Sequence, residues 1–285
     1  MTGDVILEVE DIELAIGGLQ ILRGVSFAVH TDEFFTVIGP NGAGKTSLLN
    51  VLSRIYRPTG GAVRFDGIDL LAQRRTALSG LGIARTFQNL ALFEDMDVMD
   101  NVVLGRHRLM RSGVASGAIW FGRARREERL ARQACEPLID LMGLGAHLSR
   151  PIRDLPYGIK KRIELARALA VEPRLLLLDE PAAGMNDEET DDLAEWILVA
   201  KRELGLTVVM IEHDMGMVTR LGDRSLVLDF GTVITVETPA AAIADPRVIS
   251  AYLGDDSDDP EDPTETGNIA LRIPRGNRRR GGGAR

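Results

Sequence analysis

The chain reads as an α/β protein: a mainly parallel sheet covered by helices on both faces, with a helical lobe inserted into it. Three features of its 285 residues predict this. Short β-branched or aromatic runs alternate with helix-compatible segments towards both ends of the sequence. The densest apolar run, four leucines at 175–178, is strand-sized and has no polar alternation, as expected of a parallel strand buried on both faces. Between residues 96 and 154 the apolar spacing changes to a helical period.

Taken in order, residues 5–14, 21–29 and 34–38 read as strands, each bounded by Gly or Asp. A glycine-rich loop leads into a helix at 46–54, and strands follow at 62–66 and 81–86. In the lobe, Asp97 marks one helix start and the charged stretch 123–132 lies on another helix. Strand and helix then alternate again through 175–178, 187–204, 207–211 and 225–229, the arrangement of a sheet with helices on both faces. After Leu253 the composition shifts: 255–262 is acidic and proline-broken, and 275–285 is rich in arginine and glycine. Such a segment is expected to be a disordered, solvated tail. The chain thus divides into 1–95, 96–154, 155–254 and 255–285, with no internal duplication.

Composition limits the function. Hydrophobic residues make up 45% of the chain, enough for one sizeable core. The net charge of −8 argues against a broad nucleic-acid footprint, which needs a basic surface to displace counterions from phosphates. The single cysteine, Cys135, cannot form an internal bridge, and no secretory leader is evident at the start, so a reducing, cytoplasmic setting is expected. No apolar run is long enough to cross a bilayer, so a membrane role would require a partner.

The chemistry begins at Gly39-Pro40-Asn41-Gly42-Ala43-Gly44-Lys45-Thr46, followed by Ser47. This matches the phosphate-binding loop pattern at every fixed position, between a strand and a helix. The glycines let successive N–H groups turn inward around phosphates, and the helix start adds its positive end. Lys45 would neutralise the β- and γ-phosphates of ATP, and the Thr46 hydroxyl would ligate Mg²⁺. Downstream, the buried leucine strand ends in Asp179-Glu180. Such a pair usually marks a strand end meeting a surface loop. Combined with the phosphate loop, Asp179 is read as holding Mg²⁺, and Glu180 as orienting or deprotonating the attacking water.

On these motifs residues 5–254 resemble the nucleotide-binding subunits of ABC transporters. The resemblance implies a P-loop NTPase core, an antiparallel β subdomain and an inserted helical subdomain. It implies that Gln88 senses Mg²⁺ and water while linking the core to the lobe, and that His213 contacts the γ-phosphate. His30, His107, His147 and Cys135 are read as structural. Leu155-Pro156-Tyr157-Gly158-Ile159 occupies the place of the family's signature Leu-Ser-Gly-Gly-Gln, whose helix start faces the nucleotide of the opposite subunit. The serine hydroxyl is absent here, so the helix end and the amides near Gly158 and Ile159 carry more of that attraction, with Tyr157 and Gly158 as the residues facing the nucleotide. The family's adenine-stacking aromatic corresponds to Ile16, which offers apolar contact without a ring. Asn186 stands where an aspartate is common in the cross-subunit loop.

Leu155-Pro156-Tyr157-Gly158, Ala182 and Ala183 with Gly184-Met185-Asn186, and Ala251-Tyr252-Leu253-Gly254 together resemble the branch serving branched-chain amino acid importers. Urea and amide importers are the near alternative. The partners implied are transmembrane permease subunits, a second ATP-binding subunit and, indirectly, a solute-binding protein, all at the cytoplasmic face of the cell membrane. Soluble ABC ATPases acting on ribosomes or DNA typically have two fused units or a long coiled coil, neither visible here. A non-hydrolysing regulatory subunit would be expected to lack Glu180 or His213.

Overall fold

The structure, a computed structural model, describes residues 3–86, 92–107, 123–148 and 150–253. Gln88, Gly254, the 255–285 tail and part of the helical insert lie outside the described residues.

Two sheets form the frame. The first is antiparallel and built around the hairpin of β1 (Val5–Ile16) and β2 (Leu19–His30), extended by β4 (Gly60–Phe65) and the two-residue β5 (Ile68–Asp69) in the order β2-β1-β4-β5. Both hairpin strands run longer than the sequence suggested. One face is solvated, so polar residues near their ends interrupt the apolar pattern without ending the pairing.

The second sheet has the order β10-β9-β3-β8-β7-β6. It combines β3 (Phe34–Ile38), β6 (Ile83–Arg85), β7 (Leu175–Asp179), β8 (Thr207–Ile211), β9 (Arg224–Asp229) and β10 (Thr232–Glu237). All neighbours are parallel except β10 on β9. The strand expected at 81–86 is confined to β6, because helix α2 (Leu78–Leu81) precedes it and ends at Gly82 in the left-handed region, φ 89°.

The all-apolar reading of the central strands is explained by their two faces. Phe34, Leu176, Leu178, Val208 and Met210 belong to one core, with α5 (Tyr157–Leu169) and α6 (Asp187–Leu204). Phe35, Val37, Leu175, Leu177, Val209 and Ile211 belong to the other, with α1 (Lys45–Leu52) and the antiparallel sheet. Successive side chains alternate between two buried environments, and the one polar residue inside β3, Thr36, is satisfied by the Ser225 hydroxyl at 2.6 Å.

The lobe contains α3 (Val98–Arg106), capped by Asp97, whose carboxylate accepts from the Asp100 amide at 2.7 Å. With α4 (Arg123–Leu141) it packs on α5. At the α3–α5 crossing, a Cβ on Gly105 would stand 2.1 Å from the Arg167 carbonyl oxygen, so only glycine permits this approach. Arg106 fixes the contact by donating to the Ala170 carbonyl at 2.9 Å and pairing with Glu172 at 2.6 Å. Cys135 is buried in this core, and burial pushes its thiol pKa up.

Candidate functional site

Because β3, β7, β8 and β9 are parallel neighbours, their carboxyl ends lie along one edge, where α/β sheets present ligand sites. Register sets the depth: Val37 and Asp179 both pair with Ile211, and Ile38 with Val227. From this edge emerge the loop after β3, the acids at the end of β7, Glu212 and His213 after β8, and the turn after β9.

The loop runs from Gly39 through Pro40, Asn41, Gly42, Ala43 and Gly44 to Lys45, Thr46 and Ser47 on α1. Gly39 cannot be replaced without moving backbone: its φ is 148° and a Cβ would lie 2.1 Å from the Leu228 carbonyl oxygen. Lys45 folds back over the loop, its Nζ donating to the Gly39 carbonyl at 2.7 Å and the Pro40 carbonyl at 2.9 Å. Burial lowers its pKa, and the charge of Glu180 pulls the other way. A partly desolvated ammonium beside backbone amides is suited to a multiply charged anion. Tyr252 of α9 (Pro246–Leu253) also bears on this loop. Burial raises its phenol pKa and the Gly39 backbone opposes the rise, so part of the Ala251-Tyr252-Leu253 motif has a physical link to the site.

Asp179 is buried and its Oδ2 receives Arg85 Nη2 at 2.6 Å. Arg85 also donates to Asn50 Oδ1 at 2.8 Å and Ser53 Oγ at 2.6 Å, so one guanidinium joins β6, α1 and the end of β7. The other carboxylate oxygen, Asp179 Oδ1, is buried with no hydrogen-bond partner. A buried anionic oxygen left open beside the phosphate loop, with the Thr46 hydroxyl on α1, is the hard-oxygen donor set that fits Mg²⁺.

Glu180 follows with φ 46°, a left-handed conformation rarely adopted by a side chain of this size, and its amide donates to the Ile211 carbonyl at 3.0 Å. Glu212 is fully buried and accepts from the Ala182 amide and the His213 amide, each at 3.0 Å. It therefore ties the segment after Glu180 to the segment carrying His213, whose Nδ1 lies 3.6 Å from Glu212 Oε2. Sequence reasoning gave no role to Glu212, which precedes His213, or to Arg85. A carboxylate ending a fully buried strand was the available signal for Glu212; Arg85 had none, since its partners are 32 to 94 residues away.

Tyr157 and Gly158 open α5 behind Pro156, with no side-chain cap on the helix start. The Tyr157 hydroxyl donates to the Ala183 carbonyl at 3.0 Å, linking this helix to the segment beyond Glu180. Asn186 caps α6 in a reciprocal box with Glu189, which accounts for an asparagine there. Ile16 sits exposed at the end of β1, opposite Leu19. Between the core and the lobe opens a cleft of about 770 Å³, walled by Arg85, Thr86, Phe93, Leu104, Gly105 and Arg167.

A phosphate loop, two acids at the end of a buried strand and a histidine just beyond the adjacent strand thus lie along one sheet edge. Comparisons with known proteins identify the family. The family model described as ABC transporter matches residues 22–183. The chain belongs to the ABC transporter family. This ABC subunit is 38% identical to the high-affinity branched-chain amino acid transport ATP-binding protein BraF of Pseudomonas aeruginosa over 88% of its own length and 98% of that protein. It is 35% identical, with the same coverage, to the corresponding LivG of Escherichia coli K12. The fold resembles the crystal structure of the ADP conformation of MJ1267, an ATP-binding cassette of an ABC transporter, with a TM-score of 0.77 and 27% identity over 88% of this chain and all of that one. The ABC subunit is thus a nucleotide-binding ATPase cassette, and no helix among its described residues is long and apolar enough to cross a membrane.

Proposed function

We propose that this subunit hydrolyses Mg-ATP as half of a nucleotide-bridged pair and thereby powers uptake of branched-chain amino acids through membrane permeases. The carrying observation is the convergence of the phosphate loop, Asp179, Glu180 and His213 on one sheet edge in a chain aligned almost end to end with BraF and LivG.

In this reading the loop amides from Gly39 to Gly44 and the start of α1 cradle the phosphates, and Lys45 exchanges its two carbonyl partners for the terminal phosphate oxygens. Thr46 and the open Oδ1 of Asp179 would hold Mg²⁺, with Gln88 near it. When bound, the cation would offset charge on the β- and γ-phosphate oxygens. Glu180 takes the proton of the attacking water, and His213 orients the γ-phosphate. Arg85 keeps the Asp179 carboxylate from rotating, and Glu212 keeps the Glu180 and His213 segments in step. Tyr157 and Gly158 serve the nucleotide of the second subunit, and the Tyr157–Ala183 bond carries that contact back to the segment after Glu180. The cleft beside Gly105 is the docking place for the permease at the cytoplasmic face of the membrane; the solute-binding protein acts through the permease.

The substrate is tested by ATP-driven uptake of labelled leucine, isoleucine and valine into vesicles holding the native complex. All three should accumulate only with ATP inside the accessible compartment. Continued uptake of all three without ATP, or ATP-driven uptake of urea or amides alone, would overturn the assignment.

A further inference from the structure

We infer that Phe230 provides the aromatic surface on which the base of the bound nucleotide rests; this depends on the phosphate-loop reading above. The two residues between β9 and β10, Phe230 and Gly231, both have positive φ, 42° and 79°. Two-residue hairpin turns of this kind select Asn, Asp or Gly at the first position, because a bulky side chain is strained in the left-handed region. Folding alone gives no reason for phenylalanine, which is also the most exposed large hydrophobic residue among those described, at 75%.

The turn's position supplies a reason. The Gly231 amide donates to the Ala43 carbonyl of the phosphate loop at 3.0 Å, and its carbonyl accepts from the Arg23 amide of β2 at 2.9 Å. A Cβ on Gly231 would stand 2.0 Å from the Ile21 carbonyl oxygen, so the turn is clamped between the loop and β2, with Phe230 next in the chain. Direction follows from strand order. Asp179 and Glu180 end β7 and His213 follows β8, both on one side of β3, whereas β9 borders β3 on the other. A nucleotide with its γ-phosphate toward Glu180 must extend its nucleoside toward β9 and β2. On that side Ile16 and Leu19, at the tip of the β1–β2 hairpin, offer only aliphatic surface. Phe230 adds a π-face, which any base can stack on.

Calorimetry with the full chain tests this using ATP, ADP, GTP and inorganic tripolyphosphate. Phe230→Ala should weaken all three nucleotides on the order of tenfold and leave tripolyphosphate unchanged. Phe230→Asn should weaken them equally while raising the melting temperature, since asparagine suits the turn; Phe230→Tyr should bind as the parent does. The inference is overturned if Phe230→Ala and Phe230→Asn bind ATP with parental affinity while Lys45→Ala has lost it. It is equally overturned if tripolyphosphate binding falls in step with the nucleotides, which would make the turn merely a support for the loop. Parental ATP affinity in Lys45→Ala would instead sink the phosphate-loop reading itself.

Discussion

Arg85 and Asp179 form a nearly buried ion pair, and the consequences of breaking it are set by burial rather than by the attraction itself. Removing one partner leaves a carboxylate with neither water nor counter-charge, a change that costs about 3–5 kcal/mol in buried pairs. Arg85→Ala should therefore lower the melting temperature of nucleotide-free protein by roughly 10 °C, at about 2–4 °C per kcal/mol for a chain of this size. Arg85→Lys should recover only part, because an ammonium cannot reach Asp179, Asn50 and Ser53 in the fork geometry of a guanidinium. A loss below 2 °C by calorimetry would contradict this account of Asp179. Residues whose role is local were legible in the sequence. The phosphate loop could be named position by position because its chemistry lies in adjacent backbone amides. Arg85 could not be read, since its meaning arises only when three distant segments meet. The same holds for Glu212, which looked like the neighbour of a histidine and proves to be the anchor of the segment after Glu180.

Elements bounded by a chemical stop or start were also legible. Asp97 announces α3 through a short polar side chain that satisfies a helix-end amide; Asn186, read only as a loop residue, proves to cap α6 in the same way. The edge strand β10 was not foreseen, because it is only half-buried and lacks the apolar run that identified β7 and β8. The helical lobe was recognised by period, but its contact with α5 was not, since a lone glycine within a helix carries no sign of what lies beside it. That contact makes a prediction at the scale of the element. Gly105→Ala places a methyl against the Arg167 carbonyl and must push α3 from α5, costing about 1–3 kcal/mol as overpacking does. Gly105 also walls the cleft proposed to receive the permease, and on that proposal the variant should co-purify less permease while binding ATP like the parent. Unaltered stability and permease recovery would show that the crossing has slack.

At the scale of the molecule, the architecture separates two tasks. One face of the parallel sheet packs on α1 and the antiparallel sheet, which hold the phosphate loop; the other packs on α5, α6 and the lobe, of which α5 and the lobe border the cleft. Asp179 ends the strand between these cores, and Glu180 follows it directly. The fold class was legible because a strand buried on both faces leaves a strong pattern. How α5 meets the segment after Glu180 was not, because it depends on the Tyr157 hydroxyl reaching across to the Ala183 carbonyl. The central claim is that this edge hydrolyses ATP with Glu180 as base, and steady-state turnover of Glu180→Gln beside its ATP affinity tests it most directly. An amide keeps the shape and loses the proton acceptor, so turnover should fall about 10²–10⁴-fold with the dissociation constant within about twofold of the parent. Parental turnover in Glu180→Gln would contradict the account.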